Sequence, residues 1–216
     1  MKLQGKNFMA STQTKGFSLL ELMITLSIAL ILIGVTFIAL QPALAQAHIN
    51  SAYDTTLMVL RNTRNMAITQ SHEYYVNFNP AGFPAGTIQI QYQPPAVGNG
   101  VAPPLEQVIT YTIPSDVRFA VQTGFPANTP DSFGTGITAI DFGQQLAGEP
   151  LNFVVFMPDG SSRDNNGNYN SGIVYLTRPG DNIYNSSRAI TVWGATGRIR
   201  GWRLNQPAGV TTWVQQ

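Results

Sequence analysis

The sequence predicts an α+β fold, a long N-terminal helix packed on an antiparallel β-sheet domain. Three observations carry this expectation. Residues 17–40 form an apolar run that holds one ionisable group, Glu21. Residues 43–69 then repeat apolar side chains every three or four positions. From Glu73 onward the pattern shifts to short stretches of period two, separated by turns rich in glycine and proline. The expected organisation is a basic leader at 1–16, a membrane-compatible helix at 17–41, an amphipathic helical half at 42–71 and a β-rich globular domain at 72–216.

The apolar run comes first. A helix over residues 17–40 would span roughly 36 Å, enough for the ~30 Å hydrocarbon core of a bilayer with some tilt. Lys2, Lys6 and Lys15 precede it, and no cation follows until Arg61. That asymmetry places the N-terminus in the cytoplasm and the remainder across the membrane. Glu21 is costly within such a helix, about 2.5–3.5 kcal/mol at mid-bilayer and less near an end. Gly34 allows a second helix to approach closely. Pro42 removes one backbone hydrogen bond, and because helical patterning resumes at once it is expected to kink the helix rather than end it. Ile49, Tyr53, Leu57, Leu60 and Ala67 or Ile68 then form the apolar stripe of the second half.

Strands are expected at 74–78, 87–92, 107–113, 117–121, 151–157, 173–177, 189–193 and 197–204, with 151–157, the most apolar, in the centre of the sheet. The stretches 94–104, 124–136 and 159–172 read as loops, the second of them exposed.

Composition excludes several classes. The chain has no cysteine, so disulfides and thiolate metal sites are ruled out. Without the three leader lysines, nine of the twelve cations remain, all arginine, against eleven acids, a formal charge of −2. That balance does not suggest bulk nucleic-acid binding. No cofactor signature is present: His48 and His72 stand apart, no Ser-His-Asp order has supporting context, and no glycine-rich phosphate loop follows a strand. Asp159, Asp164, Asn166, Asn168 and Asn170 concentrate oxygen ligands in one loop, but the glycine and terminal glutamate of a calcium loop are out of register, which favours a solvated hairpin. Nothing argues for catalysis.

Two local patterns remain. The first is Lys15-Gly-Phe-Ser-Leu-Leu-Glu21, a basic leader, a Gly16–Phe17 junction and a carboxylate four residues on. The second is Arg198-Ile-Arg200 with Arg203, close to Trp193 and Trp202. Arg198 and Arg200 share a strand face, with Ile199 opposite. Such a set suits either the phosphates and bases of DNA or the acidic residues of a neighbouring subunit.

The first pattern resembles the processing motif of type IV pilins and pseudopilins. The resemblance implies cleavage by a prepilin peptidase between Gly16 and Phe17, N-methylation of Phe17, and a role for Glu21 in filament assembly. The stretch at 57–71, together with Phe156–Ser162, Ile173–Leu176 and Ala189–Arg200, resembles the GspH/FimT branch. That branch implies a minor pilin or pseudopilin of a type IV pilus or type II secretion pseudopilus. Its partners would be other pilin subunits, membrane lipid and, in the secretion version, secreted cargo. It implies an inner-membrane anchor with a periplasmic domain. In its FimT version the Gly197-Arg198-Ile199-Arg200 run implies DNA uptake. A secreted β-domain cut near Ala45 or Ala47 is the competing class. It accounts for the small residues there but not for Gly16–Phe17 or Glu21.

Overall fold

Residues Leu19–Gln70 form one helix, α1, which continues through Pro42. The computed structural model describes residues 16–95, 103–143, 151–164 and 166–216. The leader, apart from Gly16, and most of the 94–104 loop lie outside them. Contacts divide the chain into two units, one ending at Pro42 and the other running from Ala43 to Gln216.

In the first unit almost every side chain of α1 is exposed, including Leu22, Ile28, Leu32 and Phe37. Thr25, Ser27 and Thr36 each donate a hydroxyl to a backbone carbonyl three or four residues back, at 3.0, 2.8 and 2.7 Å. These polar groups are therefore satisfied within the helix, as a hydrocarbon environment demands. The helix is long and apolar enough to cross a membrane.

The second unit is built on the remainder of α1. Its buried stripe is Ile49, Ala52, Tyr53, Thr56, Val59, Leu60, Thr63 and Ala67. Two members are threonines, invisible to a search for apolar periodicity. Their hydroxyls bond the Ala52 and Val59 carbonyls at 2.8 Å, so burial leaves no orphaned donor. Leu57 is only half-buried and Ile68 is exposed, so the stripe runs slightly to one side of the expected line.

Two antiparallel sheets surround this stripe, where the sequence suggested one. The first joins β1 (Tyr74–Phe78), β2 (Thr87–Tyr92), β3 (Glu106–Thr112), β6 (Phe153–Phe156) and β7 (Ser162–Arg163) in the order β3-β2-β1-β6-β7. The second runs β11-β10-β9-β8-β4, formed by β4 (Arg118–Phe119), β8 (Gly172–Thr177), β9 (Ser187–Trp193), β10 (Arg198–Asn205) and β11 (Thr212–Gln215). A short β5 (Ile140–Phe142) also pairs β8. The main core unites the α1 stripe with Val76, Phe78, Ile88 and Phe156 of the first sheet and Val174, Leu176, Ile190 and Val192 of the second. On the other face of the second sheet, Ile173, Tyr175, Ala189, Leu204 and Trp213 form a smaller core.

The structure corrects three expectations. The centre of the first sheet is β1, and β6 lies beside the two-residue β7. Among the described strands of the second sheet, β8 is buried along its whole length, with all six residues inside, because it stands between the two cores. The 124–136 stretch is not a free loop. It is mostly half-buried, contains a 3-10 turn at Pro130–Ser132, and places Phe125 and Phe133 against the smaller core. Its glycine and proline content signals irregular backbone, which a packed segment needs as much as a solvated one.

The tightest point between α1 and the second sheet is Gly201. A Cβ there would lie 1.6 Å from the Tyr53 hydroxyl. Gly201→Ala is expected to cost about 1–3 kcal/mol, as overpacking of a dense interior does. Urea unfolding would measure it, and adding Tyr53→Phe should recover part of the loss.

Candidate functional site

Gly16, Phe17 and Ser18 precede the first turn of α1 and have no regular structure. Phe17 is 80% exposed. The helix begins as the Leu22 amide reaches the Ser18 carbonyl at 3.1 Å. Glu21 thus lies in the first turn, where the helix dipole favours negative charge. The peptide bond after Gly16 is therefore accessible on non-helical backbone, and a carboxylate stands one turn beyond it. The alternative sites at Ala45 and Ala47 lie inside α1.

The arginines of β10 do not converge. Arg198 is exposed at the strand's start. Arg200 is on the face covered by the 124–136 segment, where its guanidinium bonds Asp131 at 2.5 Å and stacks 5.6 Å from the Trp193 ring centre. The Asp131 side chain is only 5% exposed. It also accepts from the Thr191 hydroxyl at 2.6 Å and the Trp193 indole at 2.9 Å. Its backbone lies in the left-handed region, at φ 53°. For a residue other than glycine this is strained, and the three side-chain bonds hold it there. Sequence reasoning missed Asp131 because nothing local ties residue 131 to a strand about sixty positions away.

Arg203 takes the opposite face. It stands in register with Arg188 on β9. Arg188 is 1% exposed and donates to the Asn185 and Ser187 carbonyls at 3.2 and 2.9 Å and to the Asn50 side chain on α1 at 2.8 Å. Burial first, and the Arg203 charge second, push the Arg188 pKa down to about 10. Arg188 alternates with the inward Ile190 and Val192, a signal the sequence carried and the sequence reading passed over.

The remaining candidates are structural fasteners. His48 bonds Asp116 at 2.8 Å, and Asp116 accepts from Arg178 at 2.7 Å, tying α1 to the sheets. Burial raises the Asp116 pKa, but the two bonds outweigh it and hold the carboxyl below its usual range. His72 lies just beyond α1, not on it, edge-on to Tyr92. In the 159–172 loop, Asp159 accepts from the Ser161 amide and hydroxyl, and Asp164 accepts from the Asn166 and Asn168 amides at 2.9 and 2.7 Å. These oxygens close the hairpin's own turns. Among the described residues no cluster of His, Asp and Glu is arranged to hold a metal.

Residues 12–37 match the family described as "Prokaryotic N-terminal methylation motif". The chain thus carries a type IV prepilin-like motif at the head of a long helix that leads into antiparallel sheets. Among curated proteins no sequence match is found. Two solved structures are similar. The Pseudomonas aeruginosa type IV minor pilin FimU is 10% identical, with a TM-score of 0.40, covering 76% of this chain and 92% of its own. The minor pseudopilin EpsH from the Vibrio cholerae type 2 secretion system is 8% identical, with a TM-score of 0.33, covering 78% and 96%.

Two expectations follow from the arginine geometry. Asp131→Ala leaves Arg200, Thr191 and Trp193 without their shared acceptor. It should lower stability by about 2–3 kcal/mol, read in urea unfolding, with a change in the near-ultraviolet signal of Trp193. Arg203→Gln removes a like charge directly opposite Arg188 and should raise stability by about 0.2–1 kcal/mol in the same measurement.

Proposed function

We propose that this chain, which carries the N-terminal methylation motif at the head of its long helix, belongs to the type IV pilin-like superfamily and is a minor pilin or pseudopilin. Its role is that of a structural filament subunit, not an enzyme. A prepilin peptidase cuts between Gly16 and Phe17, and Phe17 becomes the methylated N-terminus. The segment from Phe17 to Leu40 anchors the subunit in the inner membrane, with the leader cytoplasmic and the β-rich unit periplasmic, until assembly moves that helix into the filament core.

The observation that carries this reading is the junction itself. Gly16–Phe17 is exposed and non-helical immediately before α1, with Glu21 one turn away. Peptidases act on such accessible, irregular backbone. After cleavage the new amine and Glu21 sit at one end of an apolar helix. There the carboxylate is positioned to meet a neighbouring subunit's N-terminus, which offsets the cost of holding it in an apolar bundle.

Whether the filament is a secretion pseudopilus carrying cargo or a pilus taking up DNA rests on the GspH/FimT resemblance. The engagement of Arg200 by Asp131 favours the subunit role over direct DNA binding, since it leaves Arg198 as the exposed arginine of its face.

Co-expression with a prepilin peptidase should shorten the chain by the leader and leave N-methyl-Phe17 at the new terminus, read by intact mass and terminal sequencing. Gly16→Ala should abolish the trimming. A mature terminus at Gln46 or Ala47 would refute the reading.

A further inference from the structure

One feature of the second unit is unused by the N-terminal motif. Arg61 and Arg64 on α1 and Arg198 at the start of β10 line a single groove of about 380 Å³, together with Asn65 and Thr196. Among the described residues no carboxylate lines it. The described ion pairs place Asp116, Asp131, Asp159 and Asp181 on other cations, and Arg61, Arg64 and Arg198 take part in none of them.

The groove is built rather than incidental. Arg64 spends its Nε on the Gly160 carbonyl at 3.0 Å and one terminal nitrogen on the Thr196 carbonyl at 3.1 Å. Those bonds fix the plane of its guanidinium and leave three of its five N–H donors for a ligand. The approach depends on Gly197, which has φ +59° and where a Cβ would meet the Gly160 oxygen at 1.9 Å and Arg64 Nε at 2.7 Å. A guanidinium fixed in place loses little freedom on binding, and its fork matches a planar oxyanion. Arg61 and Arg198 are both exposed beside it.

We propose that this groove is a docking site for the carboxylate side chains of an acidic segment on an adjoining filament subunit, an assignment that rests on the reading of the chain as a filament subunit. Charge complementarity selects that occupant. One anchored guanidinium and two exposed ones line a single recess, the arrangement for one or two carboxylates, whereas duplex DNA is tracked by basic residues spread along its backbone. The chain beyond the leader carries a formal −2, with eleven acids against nine arginines, so little charge outside the groove would assist a long polyanion.

The full chain in detergent micelles, titrated at low ionic strength with a rhodamine-tagged hexaglutamate peptide, tests the assignment by fluorescence anisotropy. The wild type should bind, and added salt should weaken the complex. The double variant Arg61→Gln/Arg198→Gln should bind about tenfold more weakly or worse, and Arg118→Gln, an exposed arginine elsewhere, should bind like the wild type. Arg64 is left intact because it also holds two backbone segments. If the double variant melts at a lower temperature than the wild type, Arg61→Gln alone decides. Absence of wild-type binding, an equal loss in Arg118→Gln, or tighter binding of duplex DNA that the same double variant abolishes would each overturn the proposal. None of these results alters the leader-cleavage experiment, so failure of the groove and failure of the filament reading are told apart.

Discussion

The second unit depends on how closely one helix approaches a sheet. Tyr53 on α1 lies against Gly201 on β10, where the absence of a side chain lets the hydroxyl reach the strand. Around that point the stripe from Ile49 to Ala67 contributes to a core shared by both sheets. The helix is therefore the common partner, and the hydrophobic term that stabilises the unit follows from its register against β9 and β10. The buried threonines keep that surface free of unmet polar groups by bonding within the helix.

The same close packing sorts the arginines. On one face of the second sheet, Arg188 reaches Asn50 and crowds Arg203. On the other, Asp131 captures Arg200 together with Thr191 and Trp193. Beside α1, Arg61, Arg64 and Arg198 line one groove whose described lining holds no carboxylate. Charges placed a few residues apart on one strand thus acquire three different environments. What separates them is which segment covers each face, and desolvation amplifies the difference.

The first unit follows a different rule. The hydroxyls of Thr25, Ser27 and Thr36 are closed on the helix's own carbonyls, and most of the helix's apolar side chains there are exposed. Glu21 is its one ionisable side chain from Phe17 to Leu40. An apolar surface of that kind calls for lipid or other helices around it.

The sequence by itself determined the long helix, its apolar and amphipathic halves, and most strands of the sheets. Each rests on local periodicity, and β1 and β2 fall where period two places them, at Tyr74–Phe78 and Thr87–Tyr92. It also determined the N-terminal motif, since Gly16, Phe17 and Glu21 are neighbours in the chain and the match at 12–37 is a match of sequence. The division into two sheets, the double burial of β8, the packing of 124–136 and the fate of each arginine were decided by tertiary structure alone. Those features join residues far apart, such as Asp131 with Arg200 and Arg64 with Gly160. No short-range pattern encodes such pairs, because the energy that selects them arises only when distant segments exclude water together.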